Sequence, residues 1–236
     1  MDELVCDTNQ YEVPHGRLSC TAASMCCARL LLEKGGTGIT KDDLHRALRA
    51  GGVLYHRWHK TAPSDALQCW ADVTRAHPTL LDGYAAVYET NGYLPANGGP
   101  DTPHDADANP FVLGTVDDVL DAAAARGTRA GVLTAHHGSY AIGYERPFWY
   151  VFDPHGTACT SHATHVSPAT LRRVRRREDF RRYLLTSVVP HAPARAATRA
   201  QFQAVLFAPQ ADADAAASAA EAAPPPPPPA HRLDAP

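Results

Sequence analysis

Two short stretches hold residues with chemistry in them. Cys20 follows Gly16-Arg17-Leu18-Ser19 and opens an apolar, helix-patterned stretch. Much later, Asp153-Pro154-His155-Gly156 closes the β-prone run Phe148-Trp149-Tyr150-Val151-Phe152. A thiol at a helix start, an imidazole, and a carboxylate two residues from that imidazole are the parts of a cysteine hydrolase. The reactive form of a thiol is the thiolate, and both a helix N-terminus and an adjacent imidazolium favour it. In an extended chain residues i and i+2 face the same way, so Asp153 is expected to orient the ring of His155 from the same strand end. Amides at the start of the Cys20 helix point toward a developing oxyanion. The side-chain amide of Gln10, within Asn9-Gln10-Tyr11, is the kind of donor that completes an oxyanion hole.

Each signal alone has a plainer reading. A cysteine at a helix start is most often a small packed residue, and a single glutamine carries little. Cys26, Cys27 and Cys69 read as core packing. A second histidine competes for the role of base. Ala135-His136-His137-Gly138 precedes a strand, and His137 can meet Asp153 across the sheet, leaving His155 incidental. Both assignments stay open. The 13 histidines raise the question of a metal. Cys159, His162 and His165 are evenly spaced, and His56 and His59 flank Trp58. Zinc sites usually take four ligands in paired clusters, and the first set has no clear fourth, so no metal or other cofactor is expected. A Walker-type phosphate loop is missing, as is the Gly-x-Ser-x-Gly of α/β-hydrolases.

At 236 residues the chain can bury one substantial core. Residues 1–208 mix apolar, aromatic and charged residues like a globular α+β domain. From Pro209 alanine and proline dominate, with an unbroken run at Pro224–Pro229. Such a tail buries too little apolar area to offset its ordering entropy. Residues 209–236 are therefore expected to form a disordered, partly polyproline II extension. A net charge of −3 argues against a nucleic-acid binder. The basic run Arg172-Arg173-Val174-Arg175-Arg176-Arg177, continued by Arg181-Arg182, reads as a solvated helix face. Lysine occurs only at Lys34, Lys41 and Lys60, so arginine supplies most of the 22 basic residues, as a G- and C-rich genome would dictate. Met1-Asp2-Glu3 does not begin a signal peptide, and no apolar run is long enough to span a membrane. The six cysteines lack a secreted context. Reduced thiols in a cytoplasmic or nuclear compartment, a host cell's included, are the expectation.

The elements that must position these groups follow from periodicity. Residues 20–34 are apolar almost all round, the mark of a buried central helix, ended by Gly35-Gly36. Thr40 caps a helix over 41–50 that Gly51-Gly52 is expected to stop. A third helix starts at Ser64, with Ala66, Leu67, Trp70 and Val73 on one face. Residues 96–110 form a loop, and Thr115 caps a fourth helix. Short β-prone runs follow at Ala130–Ala135, Tyr140–Tyr144 and Phe148–Phe152. Residues 168–185 are predicted helical, and Gln203–Phe207 a last strand. Helices first and an antiparallel sheet after is an α+β order.

The sequence order Gln10, Cys20, then Asp153-x-His155 resembles a known family. Carried by Asn9-Gln10, Gly16 to Cys20 and Tyr150 to Gly156, the likeness is to the deubiquitinase domain of the herpesvirus large tegument protein and to the viral tegument-like deubiquitinases. It covers roughly residues 5–208. The resemblance implies a papain-like cysteine protease fold, in which a Cys-bearing central helix packs on an antiparallel sheet. It implies that Cys20 attacks the carbonyl of ubiquitin's C-terminal glycine, His155 shuttles the proton, Asp153 orients His155, and Gln10 stabilises the oxyanion. The implied partners are ubiquitin or polyubiquitin chains, or a ubiquitin-like modifier. Other papain-like peptidases put the histidine and its carboxylate on neighbouring strands, which keeps open a different thiol peptidase or acyltransferase using His137; a non-catalytic ubiquitin-binding module is the other alternative. A Leu-Arg-Gly-Gly tail calls for acidic groups, with Asp101, Asp105, Asp107, Glu12 and Asp65 as candidates, and an apolar patch, with Tyr84, Tyr88 and Tyr93. Solvated carboxylates and core tyrosines are the plainer readings.

Overall fold

The computed structural model describes residues 2–62, 68–94, 114–125, 129–135, 138–156, 167–188 and 200–221. In chain order the elements are β1 (Asp2–Val5), α1 (Cys20–Lys34), α2 (Lys41–His59), α3 (Trp70–Ala76), β2 (Tyr84–Leu94) and α4 (Val116–Ala124). Then come β3 (Arg129–Ala135), β4 (Gly138–Glu145), β5 (Phe148–Asp153), β6 (Thr170–Val174), α5 (Arg177–Tyr183), β7 (Ala200–Pro209) and α6 (Gln210–Glu221). The strands form one sheet in the order β1-β6-β5-β4-β3-β7-β2. Every neighbouring pair is antiparallel.

Both faces of the sheet are covered. Tyr150 and Phe152 of β5 join the core beneath α1, α2 and α3. Trp149 and Val151 join a second core with α4 and α5. Alternate residues of a strand go to opposite faces, so a strand buried on both reads as a continuous apolar run. That is why Phe148–Phe152 is legible as a strand. α1 owes its all-round apolar character to its place between α2 and the sheet, with Ala22, Ala23, Met25, Cys27 and Ala28 buried.

Five expectations need correction. Gly51 and Gly52 do not stop the second helix, which continues to His59. A Cβ on Gly51 would stand 2.5 Å from the Ala23 backbone, and one on Gly52 2.3 Å from the Pro14 carbonyl oxygen. Glycine costs a helix interior about 1 kcal/mol each, and here it lets α2 lie directly on the first turns of α1 and on the loop before them. Second, part of the stretch predicted helical is a strand, β6. Its arginines disguise it, because Arg172 and Arg173 pair across to Glu3 and Asp2 on β1. Third, β2 was not foreseen. The strand runs through Asn91-Gly92, and Gly92 is needed because a Cβ there would meet the Phe202 ring at 2.4 Å. Fourth, the sequence after Pro209 does not begin as a disordered tail: Gln210–Glu221 forms α6. Alanine is the best helix former, and the proline run begins only at Pro224. The Gln210 amide fixes the helix start to the Gly83 carbonyl at 2.8 Å. Fifth, the third helix begins not at Ser64 but at Trp70, where the extended Cys69 caps it. Residues 222–236, the stretch 96–110 predicted as a loop, and Ser64 lie outside the described residues.

Candidate active site

The site forms where the first turn of α1 meets the ends of β5 and β4. Ser19 caps α1 without its side chain, turning its hydroxyl back to the Gly16 carbonyl at 2.9 Å. The helical ladder starts at Ala23, whose amide bonds the Ser19 carbonyl. The amides before it stand outside that ladder and carry the positive end of the helix dipole. Cys20 sits there, 9% exposed.

β5 ends at Asp153, and the chain bends through Pro154 and His155. This differs from the extended i, i+2 geometry read from sequence. One carboxylate oxygen of Asp153 accepts both the His155 backbone amide and ring Nδ1, each at 2.9 Å. The turn itself thus fixes the imidazole. Gly156 closes it at φ +68°, where a Cβ would also lie 2.0 Å from the Ser167 carbonyl oxygen. His155 is 3% exposed. With Nδ1 held by Asp153, its hydrogen bond to Cys20 is left to Nε2.

The electrostatics form a pair. Burial pushes the Cys20 thiol up, but the hydrogen bond and charge of His155, helped by Ser139, bring it below its ordinary value. Burial pulls His155 down. Its hydrogen bonds to Asp153 and Cys20, with their charges, win and raise it to about 10. At neutral pH the arrangement therefore favours thiolate beside imidazolium. Such a pair is a nucleophile with a proton donor in contact.

Gln10 opens a 3-10 turn over Gln10–Glu12, capped by Asn9. Its backbone amide bonds the Pro154 carbonyl at 2.9 Å, tying this turn to the bend that carries His155. Its side chain is buried. Nε2 reaches the Arg17 carbonyl only at 3.5 Å, and Oε1 has no partner among the described residues. The amide is thus loosely held, beside the loop that delivers Cys20. Asn9 braces the same region through Nδ2 to the Ser167 carbonyl at 3.0 Å.

Cys20, His155, Asp153 and Gln10, named from sequence, therefore converge. His137 lies outside the described residues, as do Cys159, His162, His165, Asp65, Asp101, Asp105 and Asp107. Among the described residues no group of three or more histidine, cysteine or acidic side chains is arranged to hold a metal. His56 stacks on His15 at 3.8 Å, and His59 tilts against Tyr55. Glu12 is occupied in the Asn9 capping box. Tyr84 packs against the core under α1 and Tyr88 against the other. Of the basic run, Arg177 and Arg181 meet Asp117, and Arg182 meets Asp179. No described helix is long and apolar enough to cross a membrane.

Sequence reasoning missed Ser139, which hydrogen-bonds Cys20, and its neighbours Thr21, Ser24 and Thr134. A serine after Gly138 at a strand start carries no signal of its own. It also missed Tyr140, whose ring lies 5.4 Å from that of His155, and the exposed Tyr11, at 6.3 Å.

No protein-family model matches the chain, and no curated protein matches it by sequence. The fold does have a solved counterpart, the ubiquitin-specific protease encoded by murine cytomegalovirus tegument protein M48, in complex with a ubiquitin-based suicide substrate. The two agree with a TM-score of 0.59 over 88% of this chain and 85% of that one, at 16% identity.

Proposed function

We propose that this chain is a papain-like cysteine isopeptidase that hydrolyses conjugates of the ubiquitin C-terminal glycine. The observation that carries the reading is the continuous contact from Asp153 through His155 to Cys20 at the start of a buried helix. The fold likeness to a ubiquitin-specific protease supports the choice of ubiquitin as the modifier. Under this reading the protein works in a cytoplasmic or nuclear compartment, where its thiols stay reduced.

The steps follow from the geometry. The Cys20 thiolate attacks the glycine carbonyl carbon, and its electron pair becomes the new C–S bond while the carbonyl oxygen takes the charge. Donors from the first turn of α1 and from Gln10 Nε2 receive that oxyanion. One such donor is worth a factor of about 10²–10³ in rate. As the tetrahedral adduct collapses, the His155 imidazolium gives its Nε2 proton to the leaving lysine amine. A thioester to Cys20 remains and His155 is neutral. His155 then takes a proton from water as the water attacks the thioester. The sulfur leaves as thiolate, and the thiolate–imidazolium pair is restored. Asp153 keeps Nδ1 protonated throughout, which holds the reactive tautomer.

The test is reaction of the purified protein with ubiquitin bearing a C-terminal propargylamide. The expected result is a mass gain of one ubiquitin that Cys20→Ala abolishes. Folded protein that forms no adduct with ubiquitin would exclude the modifier, and an adduct that survives Cys20→Ala would exclude the nucleophile.

A further inference from the structure

β4 passes the thiol in an unusual state. Its ladder to β5 extends only as far as Ala141 opposite Phe152, because β5 leaves after Asp153 to make the bend that carries His155. Ser139 therefore has no β5 partner on that edge, and on the other side it lies opposite Thr134 of β3. α1 takes up the vacant edge. The Ser24 hydroxyl donates to the Ser139 carbonyl at 2.9 Å. In a strand the N–H and C=O of one residue lie on the same side, so the Ser139 amide faces α1 as well. One helical turn before Ser24 is Cys20, and that amide hydrogen-bonds its sulfur.

The hydroxyl of Ser139 makes a second approach. It is 2.8 Å from Thr21 Oγ1 and 2.9 Å from Thr134 Oγ1, and it also hydrogen-bonds the sulfur. A serine hydroxyl has one proton and two lone pairs. Three partners satisfy it in full when the two threonines donate to Ser139 and the Ser139 proton goes to sulfur. Ser139 is 1% exposed, so no solvent competes for that proton.

We propose that Ser139 is a further catalytic residue: its amide and its hydroxyl, the latter oriented by Thr21 and Thr134, both donate to the Cys20 sulfur and hold it as an aimed thiolate. The inference rests on Cys20 being the reacting nucleophile. It adds an anchor on β4 to the one His155 supplies. Its proton stays on oxygen throughout, because the hydroxyl acts as a donor and not as an acid. Thioester formation discharges the sulfur, so these bonds are strongest before attack and after release.

The test reads the sulfur directly. The full-length protein is alkylated with iodoacetamide across a pH series, and modification of the Cys20 peptide is followed by mass spectrometry. Ser139→Ala is expected to move the midpoint of the Cys20 profile upward by about one pH unit, the worth of one hydrogen bond to a charged group. Its high-pH plateau should match or exceed that of the unaltered protein, because a more basic thiolate is intrinsically more nucleophilic. Thr134→Val removes an orienting donor without touching sulfur and should give a smaller rise. An unmoved Ser139→Ala midpoint overturns the proposal, as does a plateau that falls with the midpoint in place, the sign of a loosened fold. Should Ser139→Ala not fold, Thr134→Val decides: a raised midpoint supports the proposal and an unmoved one overturns it. The ubiquitin probe is run in parallel. A shifted alkylation midpoint in a protein that forms no ubiquitin adduct would sink the proposed function and leave the role of Ser139 standing.

Discussion

Helix α1 presents the same side chain in two settings. Cys20 stands in its first turn, and Cys26 and Cys27 stand further along. All three are buried, at 9%, 7% and 0% exposure. Burial drives the Cys26 thiol up to about 12 and Cys27 well above its ordinary value, where the charges of Cys26 and Asp43 add to the effect. Cys20 feels the same burial and still falls below the ordinary value. Depth therefore does not decide whether a cysteine ionises. Cys20 has a cation and two donors from Ser139 within hydrogen-bond reach, and it lies at the positive end of the helix. Cys26 has only the charge of Arg29 to set against its burial, and Cys27 faces Cys26 and Asp43, whose charges oppose ionisation. Desolvation without partners suppresses ionisation, and desolvation with partners promotes it.

Breaking the contrast at its strongest point means removing the carboxylate. Asp153→Asn should lower kcat/KM on a fluorogenic ubiquitin substrate by about 10²–10⁴-fold, because the ring loses its tautomer lock. A fall of less than tenfold would count against the Asp153–His155 assignment. Gln10→Ala should lower kcat by about 10²-fold with KM little changed, since the donor is used only once charge develops. It should leave the Cys20 alkylation profile unchanged, which separates the oxyanion from the thiolate.

The pH dependence sharpens the same comparison. Cys20 is lowered, so its thiolate is present above a depressed value and lost as pH falls through it. His155 is raised to about 10, so its imidazolium is present below that and lost as pH rises through it. Turnover should follow a bell whose acid limb lies below the ordinary thiol range and whose alkaline limb lies near 10. Iodoacetamide at pH 7 should label Cys20 and spare Cys26 and Cys27; labelling of all three at equal rates would erase the distinction. The smallest effect expected is on stability. Gly51→Ala should destabilise by about 1–3 kcal/mol in chemical denaturation, since the new methyl overpacks α2 against Ala23. Alkylation of Cys20 in the folded fraction should be unchanged.

The mixed helix and antiparallel-sheet class was legible because β5 and most of α1 are buried and predominantly apolar. That Cys20, Gln10 and the Asp153-Pro154-His155 block lie together in the fold was legible because thiol, amide, carboxylate and imidazole are scarce types in telling places; their catalytic roles belong to the proposal. Other features were hidden for physical reasons. β6 presents arginines because its partner β1 presents acids, and cross-strand charge pairs make a strand look like a solvated helix. α2 runs through Gly51-Gly52 because tertiary packing outweighs a local propensity of about 1 kcal/mol per glycine. The bend at His155 replaced the extended geometry expected from alternation, since Asp153 bonds the backbone of His155 as well as its ring. Ser139 was invisible because its value comes from Thr21, Ser24 and Thr134, three residues that the fold alone makes its neighbours.

The site is also an assembly problem in time. Its parts come from the 3-10 turn after β1, the start of α1, β4 and the end of β5, stretches far apart in the chain. During synthesis from the N-terminus, Cys20 emerges long before His155. Until β5 has joined the sheet Cys20 has no imidazole beside it and remains an ordinary thiol. Long-range pairing of this kind forms slowly, so reactivity switches on only when the fold is complete. A labelled Cys20 at neutral pH is then a reporter of finished folding.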